Sequence, residues 1–288
     1  MRSRVLKLAS MLSPLRRLIL CRAVSQVLSR RQQDVKQGLL RLLWISHAEP
    51  PVSDPLFIIC EARTGSTLLG DYLNSHPMVT CEFEILNQGK IPNLGFVRFE
   101  QDVIFYLETL FKAMKGKIKC GKIHFPHFDD FSISVDHLLE WFPHARFIIL
   151  YRGSLLDQFV SLKLAEATGR WIAIRPKEET DREVAIDIAE LLAFAQATKN
   201  QYEQLANHPP LRGRHLTISY EELASDASRT FERKIWPFLD IPPFPLRTVL
   251  RKQNRRSVRE SVSNFHEVES LHTSGVLQLR LDPAMKCK

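Results

Sequence analysis

Arg63-Thr64-Gly65-Ser66-Thr67 packs one fixed cation, three hydroxyls and a glycine into consecutive positions. The apolar run Phe57-Ile58-Ile59 precedes it, and Leu68, Leu69, Tyr72 and Leu73 follow at helical spacing until His76-Pro77, so it reads as the turn between a strand and a helix. In such a turn backbone N–H groups converge on one point and the helix dipole adds partial positive charge, which suits a phosphate or sulfate. A second anion-binding pair stands some ninety residues on. Arg152 closes the apolar run Phe147-Ile148-Ile149-Leu150-Tyr151. Ser154 and Asp157 form a capping box for the next helix, and Ser161, about two turns beyond Ser154, returns to the face near Arg152. An arginine at a strand end and a serine on the following helix can grip one phosphate between them.

A nucleotide-triphosphatase P-loop needs G-x-x-x-x-G-K-[ST], with the lysine on the terminal phosphates and the hydroxyl on magnesium. Neither that lysine nor the upstream glycine is present, and the cation comes before the glycine as Arg63. The arrangement resembles the 5′-phosphosulfate loop of sulfotransferases that use PAPS (3′-phosphoadenosine 5′-phosphosulfate), in the R-[ST]-G-[ST] form of carbohydrate and nodulation-factor sulfotransferases. The block from Tyr151-Arg152 through Ser161-Leu162-Lys163-Leu164-Ala165 to Gly169-Arg170-Trp171 is similar to the same family's 3′-phosphate block. Softer similarities are Asn74-Ser75-His76-Pro77 with Cys81-Glu82-Phe83-Glu84-Ile85-Leu86, Gly121-Lys122-Ile123-His124, Ile218-Ser219-Tyr220-Glu221-Glu222-Leu223 with Trp236-Pro237-Phe238-Leu239, and Lys252-Gln253-Asn254 with Ser263-Asn264-Phe265. Together they cover about residues 55–272.

The resemblance implies PAPS as sulfuryl donor and no required metal. Thr64, Gly65, Ser66 and Thr67 are then expected to cradle the 5′-phosphate, and Arg152 and Ser161 to bind the 3′-phosphate that separates PAPS from ATP. Arg63, protonated throughout, would stabilise charge on the bridging oxygen electrostatically. The acceptor hydroxyl needs a general base. Glu84 takes the position of the family's glutamate, Glu82 is its neighbour on the same strand face, and His124 with His127 forms a second pair, since imidazole titrates near neutral pH. The cation run Arg247, Arg251, Lys252, Arg255, Arg256 and Arg259 falls where the family covers its cofactor; Arg255 is the residue assigned to that contact, although the recurrence also suits a solvated helix face. The acceptor implied is a carbohydrate, glycolipid or other small metabolite. Trp171, Phe125 and Phe128 suit stacking on a sugar and equally suit a core.

Strands are predicted at 56–60, 78–82, 118–124, 146–151 and 215–219, with helices near 67–75, 101–114, 134–141, 154–168, 183–206 and 228–239. That alternation implies an α/β fold, one P-loop-like domain whose central parallel sheet is flanked by helices on both faces. Ligands then bind at the C-terminal edge of the strands. Ile174 to Arg182 reads as a charged surface loop near the acceptor.

Of 288 residues 44% are apolar, enough for one substantial core. The five cysteines, Cys21, Cys60, Cys81, Cys120 and Cys287, have no C-x-x-C spacing and indicate neither a disulfide framework nor a zinc site. Cys60 and Cys120, in apolar strand-like runs, read as buried packing residues. The net charge of +8 is concentrated at the start: residues 1–48 hold ten Lys/Arg against Asp34 alone, and the other 240 residues sum to −1. This divides the chain into a basic segment with its Pro-containing linker (1–50) and a catalytic domain (51–288). The segment has no apolar stretch near the ~20 residues of a membrane span. Three readings stay open for it: a solvated extension packed on the domain, an interfacial helix on an anionic membrane, or an organelle transit peptide. The expected location is cytoplasmic, with peripheral membrane contact the second reading. No motif or interleaved aromatics point to nucleic acid. Two other functions compete with sulfuryl transfer: a P-loop-like nucleotide kinase, disfavoured by the missing lysine, and a non-catalytic membrane-surface binding protein with a degenerate cofactor site.

Overall fold

The computed structural model describes residues 54–87, 100–172, 182–250 and 256–281. The basic segment 1–50, the boundary that ends it, residues 174–181 of the charged loop, and Arg251, Lys252, Gln253, Asn254 and Arg255 lie outside the described residues.

Five strands form one sheet: β1 (Leu56–Cys60), β2 (Val79–Glu82), β3 (Ile118–His124), β4 (Arg146–Tyr151) and β5 (His215–Ser219). Their order is β2-β3-β1-β4-β5 and every pairing is parallel. In β1 every side chain is buried, which explains why the strand reads as an unbroken apolar run. Alternate residues serve two cores. Phe57, Ile59, Phe147 and Ile149 pack on one face, where the Phe57 ring meets Phe111, Phe142 and Phe147 at 5.6–5.9 Å between centroids. Leu56, Ile58, Ile148 and Leu150 pack on the other with Leu69, Leu73, Leu223, Phe231 and Trp236.

The helices are α1 (Ser66–Leu73), α2 (Glu100–Ala113), α3 (Phe125–Asp130), α4 (Val135–Trp141), α5 (Leu155–Thr168), α6 (Ile188–Ala206), α7 (Tyr220–Thr230), α8 (Trp236–Leu239), α9 (Val258–Ser261) and α10 (Phe265–Thr273). From β1 the chain runs through α1 toward the β2 edge, and from β4 through α5 and α6 toward the β5 edge. The two connections diverge between β1 and β4, which makes that crevice the topological switch point where open α/β sheets bind ligands.

All five predicted strands are present. The helices α3, α9 and α10 have no counterpart among those predicted, and two predicted helices differ in their bounds. The helix predicted at 183–206 starts at Ile188: Asp187 caps it through the Glu190 N–H, and Val184 instead bridges Val262. The helix predicted at 228–239 is the end of a longer run that opens at Ser219, whose hydroxyl and Glu222 form a reciprocal capping box, kinks at Asp226, and passes through a π-helical turn at Phe231–Ile235 into α8. Cys60, Cys81 and Cys120 are free and buried.

Candidate active site

β1 and β4 part at their C-terminal ends, and Tyr202 of α6 fills the gap. Its fully buried hydroxyl donates to the Leu150 carbonyl (2.7 Å) and accepts from the Glu61 N–H (2.8 Å), so one phenol replaces the next rung of the ladder. Beyond it the chain turns through Arg63 (φ 64°) and Gly65 (φ 81°), both left-handed, into α1. A β-carbon on Gly65 would lie 2.5 Å from the Tyr220 ring, so glycine is required here for space as well as for conformation.

Three consecutive carbonyls of this turn face inward onto side-chain donors. The Thr64 hydroxyl donates to the Glu61 carbonyl (2.8 Å), the Gln158 amide to Ala62 (2.8 Å) and the Arg152 guanidinium to Arg63 (3.4 Å). No side chain caps the N-terminus of α1, leaving its first-turn N–H groups to meet a ligand. The hydroxyls expected as ligand donors divide. Thr64 and Ser66 are buried beside the Cys60 thiol, whose pKa burial pushes up to about 11, whereas Thr67 is partly exposed on the first turn.

The second motif meets the first at Arg63. Its Nε donates to the Ser161 hydroxyl (3.0 Å) and its Nη1 to the Trp171 carbonyl (2.7 Å). Burial and the adjacent Arg152 both pull the Arg63 pKa below its ordinary value. Two guanidinium groups thus crowd one crevice, a repulsion that an anion relieves. Arg152 lies over the Tyr220 ring (4.7 Å) and reaches Asp157 (3.4 Å), while its buried Nε has no hydrogen-bond partner. A buried guanidinium N–H without an acceptor is a polar cost that a phosphate oxygen removes. Ser154 caps α5 by accepting from the Asp157 N–H, as predicted; the reciprocal half of the box is taken by Glu221, whose carboxylate accepts from the Gly153 and Ser154 N–H groups (2.9 and 3.4 Å). The Tyr220-Glu221 pair therefore supports the turn that carries Arg152.

On the other side of β1 lie the candidate bases. Glu84, at φ 52°, receives Lys122 Nζ on Oε1 (3.2 Å) and Asn87 on Oε2 (2.5 Å). The Lys122 side chain is 2% exposed and that of Glu84 13%, so this is a buried ion pair, with the Phe83 ring 5.8 Å from the ammonium. Glu82 ends β2 near Tyr106, and burial raises its pKa. His124 pairs in register with Cys60 at the top of β3 and stacks on His127 (5.3 Å, 13° between planes). The site residues named from the sequence thus sit at one edge of the sheet, except Arg255, which lies outside the described residues. Two of its neighbours, Arg256 and Arg259, pair with Glu183 and Glu269. Among the described residues no group of three or more His, Cys, Asp or Glu side chains is placed to hold a metal, and no helix is long and apolar enough to cross a membrane.

A model of the sulfotransferase family, described as "Sulfotransferase family", matches residues 130–245, the part that carries Arg152, Ser161 and the Tyr220 element. Over a longer span, the Nodulation protein H of Rhizobium tropici is 26% identical across 234 residues, covering 78% of this chain and 92% of its own. The Nodulation protein H of Rhizobium meliloti is 25% identical across 233 residues, covering 77% and 92%. Over residues 130–245 the chain is similar to the sulfotransferase family. Among solved structures, a sulfotransferase from Alicyclobacillus acidocaldarius aligns with a TM-score of 0.44 and 15% identity, covering 79% of this chain and 93% of that one. Two residues of this crevice fall outside the motifs named from the sequence. Tyr202 lies in an ordinary amphipathic helix. Gln158 had a faint signal, as an amide amid Leu155, Leu156, Phe159 and Val160, a position the helix face reserves for apolar residues.

Proposed function

We propose that this chain is a sulfotransferase that takes its sulfuryl group from PAPS and transfers it to a hydroxyl of a carbohydrate, glycolipid or other small metabolite by in-line displacement. The observation that carries the reading is the meeting of both anion motifs at one point: Arg63 of the first bonds Ser161 of the second, beside Arg152 with its unpartnered Nε. A donor with phosphates at both its 3′ and 5′ ends fits two such motifs in one crevice.

The N–H groups of the α1 first turn and Thr67 hold the 5′-phosphate, with Thr64, Gly65 and Ser66 shaping the turn. Arg152 and Ser161 hold the 3′-phosphate; the Ser161 hydroxyl, accepting from Arg63, keeps its own proton to donate. Arg63 turns from Ser161 and Trp171 toward the bridging oxygen as negative charge grows there. Arg255 closes over the cofactor. Glu84 is the first candidate for removing the acceptor proton. His124 is the second, favoured by one observation: both Glu84 oxygens are already engaged by Lys122 and Asn87. The two differ in the pH dependence of kcat/KM, whose lower limb follows the base's own titration.

Residues 51–288 are assigned as the catalytic domain of a cytoplasmic protein and residues 1–50 as a basic extension, and co-sedimentation with phosphatidylserine vesicles separates a solvated extension from one that contacts anionic membrane. For the activity itself, ³⁵S-labelled PAPS is offered with panels of oligosaccharides, glycolipids and phenols, to the wild type and to Arg63→Ala. Transfer to a hydroxyl acceptor that disappears in the variant supports the reading. Phosphoryl transfer from magnesium-ATP, or turnover untouched by Arg63→Ala, overturns it.

A further inference from the structure

Gln158 is fully buried on α5 among Leu155, Leu156, Phe159 and Val160, a place where an apolar side chain of equal size would carry no desolvation cost. Its Nε2 donates to the Ala62 carbonyl at 2.8 Å, which fixes the orientation of the amide, and its Oε1 is buried with no hydrogen-bond partner. The fold therefore tolerates an unsatisfied acceptor in order to keep one donor on one loop carbonyl. That carbonyl is specific. The peptide between Ala62 and Arg63 precedes Arg63, and the peptide after it is held by Arg152 through the Arg63 carbonyl. Arg63 has φ 64°, a conformation that residues with a β-carbon rarely adopt and that persists where the surroundings hold it. Two donors on the two flanking peptides are such a hold. In a trans peptide the N–H points opposite to the carbonyl, so pulling the Ala62 oxygen into the core turns the Arg63 N–H the other way.

We propose that Gln158 is a positioning residue for sulfuryl transfer: with Arg152 it clamps the peptides on either side of Arg63 and so sets the backbone of the turn that receives the 5′-phosphate end of the donor. The inference rests on the PAPS reading above. It assigns Gln158 no contact with the donor and no part in binding the 3′-phosphate.

The test is calorimetric titration of the full chain with two probes, PAP (adenosine 3′,5′-bisphosphate) and adenosine 3′-monophosphate, which lacks the 5′-phosphate. In Gln158→Met, which keeps volume and removes the donor, the Kd for PAP rises about tenfold, as for one lost hydrogen bond, while that for the 3′-monophosphate stays within about twofold. Gln158→His, which carries a ring N–H at similar reach, retains PAP affinity within about threefold of wild type, and this variant decides the matter if the methionine variant does not fold. Equal weakening of both probes, or weakening of neither, in Gln158→Met overturns the inference while leaving the PAPS reading intact. A Gln158→His variant that folds and loses PAP as the methionine variant does also overturns it. Wild-type protein that binds neither probe overturns the PAPS reading, and this inference with it.

Discussion

Glu84→Ala separates the structural and chemical roles of the candidate base. Lys122 Nζ lies 3.2 Å from Glu84 Oε1 with its side chain 2% exposed, so removing the carboxylate leaves a buried ammonium with the Phe83 ring and little water in exchange. At that separation a unit pair in an effective dielectric of about 20 attracts by roughly 5 kcal/mol. Breaking one side of a buried pair costs about 3–5 kcal/mol, because the remaining charge stays desolvated. For a domain of this size, about 2–4 °C of Tm accompanies each kcal/mol, so Glu84→Ala should melt ~6–20 °C below wild type. Lys122→Met should cost less, since Glu84 is more exposed and keeps Asn87. The double variant Lys122→Met/Glu84→Gln removes both charges and should recover most of the stability. Urea and thermal unfolding of the four proteins measure these differences, and turnover of the stable double variant then reports chemistry alone. A Glu84→Ala protein within about 1 kcal/mol of wild type would refute the buried-pair reasoning.

Three other perturbations follow from the same geometry. Gly65→Ala places a β-carbon 2.5 Å from the Tyr220 ring at φ 81° and displaces the ring that supports Arg152, so PAP affinity should fall more than about tenfold and Tm should drop; unchanged calorimetry and melting would show that the turn tolerates a side chain. Ser161→Ala removes a hydroxyl assigned to the 3′-phosphate and should weaken PAP about 10- to 100-fold while sparing adenosine 5′-phosphosulfate, which lacks that group; equal losses for the two ligands would contradict the assignment. Burial raises the pKa of Glu61, so the folded state holds that proton more tightly than the unfolded chain and stability falls as pH climbs from the ordinary carboxyl value of 4.5 through the raised pKa. Glu61→Gln, which keeps the acceptor for the Ala62 N–H at 2.7 Å, should therefore be more stable than wild type at pH 7 and lose its advantage below about pH 4.5, as read by unfolding at several pH values; a variant less stable at pH 7 would assign the carboxylate a stabilising contact.

What the sequence made legible, and what it hid, divides along local and non-local lines. Phe57-Ile58-Ile59 and Phe147-Ile148-Ile149-Leu150 announce buried strands because both faces of a central parallel strand are covered, and the polar residues that end them mark the edge where the site forms. Arg63, Arg152 and Ser161 were nameable because each sits at a fixed offset from such a strand end. The helix opening at Ser219 carries its own signature, Ser219 with Glu222 three residues on, and was nonetheless missed because its polar surface hides the apolar stripe of Leu223, Phe231 and Ile235. The start of α6 was placed five residues early, since Glu183 to Asp187 looks helical in composition and only the bridge from Val184 to Val262, distant in sequence, holds it extended. The pairing of Glu84 with Lys122, the Tyr202 hydroxyl between β1 and β4, and the hold of Gln158 on Ala62 all join residues 38 or more positions apart, and no periodicity encodes them.

The most direct test of the account is calorimetric titration of the protein with PAP without metal and with ATP plus magnesium, repeated for Arg152→Ala. The expected result is micromolar PAP binding that needs no metal and is lost in the variant. A preference for magnesium-ATP would make the crevice a kinase-type site, and binding of neither nucleotide would contradict the assignment of the two anion motifs to one donor.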